Sequence, residues 1–125
     1  MILDTNALSD LFRQNQSLRA HLQRADRLYL PVIVLGEYLY GIKNSTRAKE
    51  LTELLTGFMQ DIQLLGMGKA TSFHYADIRW ELKKKGTPIP ENDIWIAGIV
   101  REYKLPLLSR DTHFDLVEGV ERLGW

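Results

Sequence analysis

The sequence predicts an α/β fold with a largely parallel central sheet. Short apolar segments at 2–3, 27–30, 62–65 and 106–109 are typical of buried strands, and helical patterns separate them along the chain. Strands that alternate with helices favour parallel pairing with right-handed crossovers. A length of 125 residues predicts one domain, residues 1–125, that can bury its own core.

Two helices are expected after the first strand. Asp4, Thr5 and Asn6 are residue types that start helices, and a helix is predicted behind them at 7–12. Ser17 is the expected N-cap of a second helix, which runs to about residue 24. The chain therefore leaves its first strand through a turn that carries three polar side chains.

The third helix follows the second strand. Pro31 suits the first turn of a helix, and the helix that it begins carries Glu37 and ends near Gly41. A fourth helix, at 47–60, has apolar side chains at the 3.6-residue spacing of an amphipathic helix. These are Leu51, Leu54, Leu55, Phe58 and Met59.

A long fifth helix is predicted at 70–85. Its packed face is expected to include Phe73, Ala76 and Trp80, and Gly86 is expected to end it. The spacing of these three residues is close to a helical period, and Lys84 continues the same series.

The last part of the chain completes the alternation. The segment 87–90 contains two prolines and is therefore a stiff connector without helical structure. It leads into a helix at 92–103, which precedes the strand at 106–109. A further strand at 120–123 is predicted at an edge of the sheet.

Composition narrows the function classes. Sixteen basic residues balance sixteen acidic ones, so the net charge does not indicate a nucleic-acid partner. The chain has no cysteine, which excludes disulfides, thiolate metal sites and cysteine nucleophiles. No apolar run is long enough to cross a bilayer and the N-terminus lacks a secretory pattern, so a cytoplasmic location without membrane contact is expected.

Four acidic residues stand in contexts unsuited to an ordinary solvated surface. They are Asp4 in ILDTN, Glu37 in VLGEYLYG, Asp93 in PENDIWIAG and Asp111 in LLSRDTHF. A buried carboxylate must be paired or must bind a metal, because removing its water is costly. Asp4 and Asp111 follow predicted strands, and ligands of open parallel sheets bind at the carboxyl ends of the strands.

Each acid also has an ordinary structural interpretation. Asp4 could cap the helix behind it, Asp93 could be a first-turn acid favoured by the helix dipole, and Asp111 could belong to a turn. Glu37 lies within a helix among apolar residues and is the hardest to explain in this way. Taken together, the four acids favour a shared cation.

Carboxylates that lie close together repel one another, and one or two divalent cations relieve that repulsion. Mg²⁺ and Mn²⁺ prefer oxygen ligands, and Mg²⁺ often binds through one or two carboxylates together with substrate phosphate. Such a site suits hydrolysis of a phosphodiester by a metal-activated water. The acids therefore predict a metal-dependent enzyme that needs no protein nucleophile.

The order and spacing of four motifs resemble the PIN-domain ribonucleases, and within them the VapC-like toxins of bacterial type II toxin–antitoxin pairs. The motifs are LDTN at 3–6, LGEYLYG at 35–41, PIPENDIWIAG at 88–98 and LLSRDTHF at 107–114. The resemblance implies a three-layer α/β/α sandwich, Mg²⁺- or Mn²⁺-dependent cleavage of RNA, homodimerisation, and inhibition by a cognate antitoxin.

The same resemblance implies roles for individual residues. The metal-binding and catalytic acids are implied to be Asp4, Glu37, Asp93 and Asp111. The supporting residues are implied to be Thr5, Asn6 and Ser109. Asp115 is a weaker fifth acidic candidate, since it could equally be a solvated surface residue.

Three features depart from the family pattern. Only three residues precede Asp4, which predicts a short first strand and leaves the natural start of the chain open. Val34 stands where many relatives have a hydroxyl residue, so a contact to Glu37 is expected to be missing. Gly98 stands where alanine is commoner and is expected to loosen its helix by up to about 1 kcal/mol.

Other polar residues have simpler interpretations. His21, His74 and His113 are not spaced as a set of ligands, so catalysis by a histidine is not expected. Arg79 and the lysines at 83–85 are interpreted as a solvated helix end, with contact to an RNA backbone as the alternative.

Two other functions stay open at this point. Asp4 could be the covalent nucleophile of a phosphatase, although Asn6 stands where a second aspartate would be needed. Alternatively, the acids could form a docking surface for basic partner segments in a protein without catalytic activity. Binding of divalent ions would separate a nuclease site from such a surface.

Overall fold

Five parallel strands form the central sheet of the computed structural model, which describes residues 1–125. The strands are β1 (Ile2–Leu3), β2 (Tyr29–Pro31), β3 (Gln63–Leu65), β4 (Leu107–Leu108) and β5 (Arg122–Leu123). Their order in the sheet is β3-β2-β1-β4-β5, and every neighbouring pair is parallel. The predicted parallel sheet is confirmed.

Six α-helices flank the sheet. They are α1 (Thr5–Phe12), α2 (Gln16–Gln23), α3 (Val32–Gly41), α4 (Ala48–Met59), α5 (Lys69–Lys85) and α6 (Glu91–Tyr103). A short 3-10 helix, Thr112–Leu116, follows β4 and is not predicted by the sequence. None of the helices combines the length and the apolar character that crossing a membrane would require.

The core is centred on β1 and β4. Their four residues, Ile2, Leu3, Leu107 and Leu108, expose at most 1% of their surface. Strands whose side chains are buried on both faces are typical of parallel sheets covered by helices on both sides. The residues that follow these two strands are therefore anchored to the buried centre of the sheet.

The first two helices begin at side-chain caps. Asp4 caps α1 and accepts a hydrogen bond from the backbone amide of Thr5 at 2.7 Å. The prediction that Ser17 caps α2 is wrong. Asn15 has this role, because its side chain accepts a hydrogen bond at 3.1 Å from a backbone amide of the first helical turn.

Helix α5 packs through a different face from the one predicted. Phe73 and Trp80 are 65% and 58% exposed, whereas Thr71, Ile78 and Leu82 are buried. The buried residues lie at i, i+7 and i+11, so they share one helix face. The predicted face is wrong because contact with α6 decides which side of α5 is buried, and Thr71 lies on that side.

Contact between α5 and α6 explains why a polar residue is buried there. Thr71 donates a hydrogen bond to the carboxylate of Glu102 at 2.6 Å, which satisfies its hydroxyl group. Gly98 of α6 faces the same turn. A Cβ atom at Gly98 would lie 3.5 Å from both the carbonyl oxygen of Thr71 and the amide nitrogen of Tyr75. The space at this glycine therefore accepts a methyl group and little more.

We expect Gly98→Ala to raise the free energy of unfolding by about 0.5–1 kcal/mol. The added methyl group meets ordinary van der Waals contacts, and the unfolded chain loses conformational freedom. Gly98→Leu should lower the free energy of unfolding, because a larger side chain has to displace α5. Urea unfolding followed by circular dichroism measures both changes, and a clearly destabilised alanine variant would contradict this view of the helix contact.

Candidate active site

The site lies at the carboxyl ends of the two central strands. Leu3 of β1 and Leu108 of β4 are register partners, so the residues that follow them, Asp4 and Ser109, lie side by side. The strand order changes direction here, with β2 and β3 on one side of β1 and with β4 and β5 on the other. Ligands of open parallel sheets bind at such a switch point.

Asp4 is buried and held by its neighbours. Ser109 Oγ donates a hydrogen bond to Asp4 Oδ2 at 2.5 Å, and Asn6 Nδ2 lies 3.2 Å from the same oxygen. Ser109 Oγ also accepts a hydrogen bond from the amide of Asp111 at 3.0 Å. Burial raises the pKa of Asp4, hydrogen bonds to its carboxylate oppose that rise, and repulsion from Glu37 and Asp111 adds to it.

Glu37 reaches this site from α3. Thr5 Oγ1 donates a hydrogen bond to Glu37 Oε2 at 2.8 Å, which connects the start of α1 to α3. The other carboxylate oxygen, Oε1, is buried and has no hydrogen-bond partner. Val34, one turn earlier, lies fully buried in the core and has no hydroxyl to offer. A buried carboxylate oxygen without a partner is costly, and a bound cation would satisfy it.

Asp93 and Asp111 approach each other from different elements. Asp93 lies in the first turn of α6, and Asp111 caps the 3-10 helix by accepting a hydrogen bond from the amide of His113 at 2.9 Å. The Nδ1 atom of His113 lies 2.9 Å from Asp111 Oδ1 and 3.2 Å from Asp93 Oδ2. One ligand atom from each of these three residues lies within 4.8 Å of the others.

The pKa of Asp93 is raised mainly by burial and further by neighbouring negative charge. Burial and, to a smaller extent, repulsion from Asp111 raise the pKa of Asp93 to about 6, and the hydrogen bond with His113 opposes the rise. A cation between two such carboxylates favours their charged forms. The carboxylate oxygens therefore fit a hard divalent cation such as Mg²⁺ or Mn²⁺.

All four predicted acids lie at this end of the sheet, but they do not form one group of ligand atoms. Asp93 and Asp111 come within reach of a single ion together with His113. Asp4 is connected to the amide of Asp111 through the hydroxyl of Ser109. Glu37 is connected to Asp4 through Thr5, whose hydroxyl donates a hydrogen bond to Glu37 and whose amide donates one to Asp4. The assignment of all four acids as metal ligands stays a prediction.

Two residues have a different place from the one the sequence indicates. Asp115 forms two hydrogen bonds with Arg122 at 2.8 and 2.9 Å, which lower the pKa of Asp115, and the same arginine donates a hydrogen bond to the carbonyl oxygen of Ser109. His113 joins the acidic group although no second histidine accompanies it. The available signal was its position two residues after Asp111, where a turn brings its ring back to the carboxylate.

Sequence comparison identifies the family. The family model described as "PIN domain" matches residues 1–120. "Ribonuclease VapC1" of Haemophilus influenzae (strain R2866) is 31% identical, over 99% of this chain and 96% of that protein. The "tRNA(fMet)-specific endonuclease VapC" of Shigella flexneri is 27% identical over the same shares of the two chains.

Solved structures share the fold. DNA-bound VapBC from Salmonella typhimurium has a TM-score of 0.88 and 25% identity, with 99% of this chain and 96% of that chain covered. VapBC2 from Rickettsia felis, bound to a DNA fragment from its promoter, has a TM-score of 0.89 and 22% identity, covering 99% and 97%. A toxin-antitoxin complex from Klebsiella pneumoniae has a TM-score of 0.74 and 21% identity, covering 95% and 93%.

These structures confirm the predicted PIN-like α/β/α sandwich. The family model covers nearly the whole chain, and the VapC1 ribonuclease aligns with it from end to end. The chain belongs to the PIN-domain family and, within it, to the VapC ribonucleases.

Proposed function

We propose that this chain is a metal-dependent endoribonuclease and the toxin of a toxin–antitoxin pair. The proposal rests on one observation, that carboxylates from two different elements, Asp93 and Asp111, come within reach of one ion at the switch point of the sheet. The ribonuclease names of the relatives support RNA as the substrate. The toxin-antitoxin complexes among the solved relatives support a cognate antitoxin as a partner.

Asp93 and Asp111 are the proposed central ligands of Mg²⁺ or Mn²⁺, and Asp4 and Glu37 complete the acidic site. The bound ion would supply the positive charge that activates a water and stabilises the attacked phosphate. His113 contacts both central carboxylates and is proposed as an additional ligand or as a residue that orients them.

Hydroxyl side chains fix the acids before substrate arrives. Thr5 positions Glu37 through a hydrogen bond of 2.8 Å. Ser109 positions Asp4 and, through its contact with the amide of Asp111, sets the distance between the two aspartates. Acids that are held in place need little rearrangement when negative charge develops on the phosphate.

The geometry does not favour covalent catalysis by Asp4. Asp4 is 5% exposed, and both of its carboxylate oxygens accept hydrogen bonds within the chain. Asn6 is engaged as well, because its Oδ1 accepts a hydrogen bond from the amide of Arg110 at 3.1 Å. A nucleophile that attacks phosphorus needs a free oxygen and an adjacent acid or base.

The family resemblance extends the proposal to the oligomeric state, the location and the inhibition of the enzyme. We propose a homodimer in the cytoplasm whose activity is blocked by the antitoxin until the antitoxin is lost. Sedimentation of the purified chain, alone and with the product of a neighbouring gene, measures both associations.

Asp93→Asn should lower the rate of RNA cleavage by about 100-fold or more, because it removes a charged ligand from the centre of the site. The assay is cleavage of a labelled RNA in the presence of Mn²⁺, and EDTA should abolish the activity of the wild type. Asp77→Asn, an exposed aspartate on α5, is the matched control and should cleave normally. Normal cleavage by Asp93→Asn would refute the assignment.

Mn²⁺ should raise the melting temperature of the wild type. An ion that binds only the folded state adds about 2.7 kcal/mol at a concentration one hundred times Kd. The shift should be much smaller in Asp93→Asn/Asp111→Asn, which lacks both central carboxylates. Differential scanning fluorimetry measures the shift, and equal shifts in the two proteins would place the bound ion elsewhere.

Without metal, the wild type should lose stability relative to Asp93→Asn as the pH rises from about 4 to about 6. The pKa of Asp93 is about 6 in the folded state against an ordinary value of 3.8, so the folded state holds a proton that the unfolded state has already released. Stability therefore falls with rising pH across this window. Urea unfolding midpoints of the two proteins, measured in EDTA across this pH window, test the prediction. A difference between the two midpoints that does not change with pH would contradict it.

A further inference from the structure

A groove with both polar and apolar walls lies beside Glu37, one of the four acids. The groove has a volume of about 370 Å³ and lies between α1, α3 and the start of α4. Thr5 and Glu37 line the end next to the acids, and Arg13 and Arg47 also line the groove. Any strand that is cleaved at the acids has to continue across a neighbouring surface, and this groove shares Glu37 with the acidic site.

Helical periodicity aligns the walls of the groove. Thr5 and Phe12 lie at i and i+7 on α1, and Glu37 and Gly41 lie at i and i+4 on α3. At a rise of about 1.5 Å per residue, Arg13 lies about 12 Å along α1 from Thr5. The groove is therefore long enough to extend beyond the group that is cleaved.

Two guanidinium groups line this groove, those of Arg13 and Arg47. Tyr38 lines it as well; burial raises the pKa of Tyr38, and the charges of Arg13 and Arg47 oppose that rise. Arg47 binds Glu50 through Nε and Nη2 at 3.0 and 2.9 Å, which leaves Nη1 available. Arg13 is 78% exposed, and its closest acid is Asp10 at 3.9 Å.

We propose that this groove binds the RNA strand beside the cleaved phosphodiester, with Arg13 and Arg47 holding a backbone phosphate of a flanking nucleotide. The proposal rests on the ribonuclease function and adds a substrate-positioning role to it. Arginine suits this role because its guanidinium group presents paired donors to phosphate oxygens.

Arg13→Gln/Arg47→Gln tests the groove by titration of a labelled, mixed-sequence, single-stranded RNA. In an Asp93→Asn background, which binds without cleaving, the Kd should rise about tenfold. The slope of log Kd against log salt should fall by about 0.7, since the variant loses one phosphate contact and each such contact contributes about 0.7 for a single strand. In the active background, KM should rise similarly while kcat stays within about twofold. Arg19→Gln, an exposed arginine on α2, is the matched control.

Gly41→Glu tests the groove independently of the arginines. A Cβ atom at Gly41 meets nothing within 4 Å, so the fold accepts the change while a negative charge enters the groove. RNA binding should weaken about tenfold, as for the double arginine variant. Gly57→Glu on α4, where a Cβ atom is equally free of contacts, should bind RNA normally.

Unchanged Kd and KM in both groove variants would overturn the proposal. This holds even if the variants lose binding to a protein partner. An unaltered Mn²⁺-induced melting shift in the variants confirms that their fold and acidic site are intact. Failure of the wild type to cleave any RNA would refute the ribonuclease function itself. The binding measurements in the Asp93→Asn background would still report on the groove in that case.

Discussion

The pairing of β1 with β4 is the constraint on which the acidic site depends. It places Asp4 against Ser109, and the hydroxyl of Ser109 then contacts both Asp4 and the amide of Asp111. One buried serine thus connects the ends of two strands whose residues are otherwise apolar. The α3 and α6 helices bring the remaining acids to this fixed point, Glu37 through Thr5 and Asp93 through the ring of His113.

The site has a cost to stability that the rest of the fold has to offset. Burial and mutual repulsion raise the pKa values of Asp4 and Asp93, and one oxygen of Glu37 is buried without a partner. Such groups are unfavourable in an isolated fold and become favourable when a cation binds. The groove lined by Arg13 and Arg47 shares Glu37 with these acids, so the proposed phosphate contacts lie beside the proposed ion site.

Periodicity and chain order were enough to predict the main elements of the fold. The five strands, the six helices and the position of Asp4 and Asp111 after strands all follow from local patterns. The prediction failed for residues whose place depends on side-chain contacts in the folded molecule. Thr71 is buried because Glu102 satisfies its hydroxyl, and His113 joins the acids because a 3-10 turn brings its ring back to Asp111. Neither contact leaves a periodic signal in the chain.

The proposed cation site joins side chains from separate parts of the sequence at the carboxyl edge of the sheet. A crystal soaked with Mn²⁺ tests this site, because anomalous scattering locates the ion independently of any assay. We expect an anomalous peak between the carboxylates of Asp93 and Asp111, on the side that faces Asp4. An ion bound only at other surfaces, with these carboxylates left unliganded at saturating Mn²⁺, would contradict it.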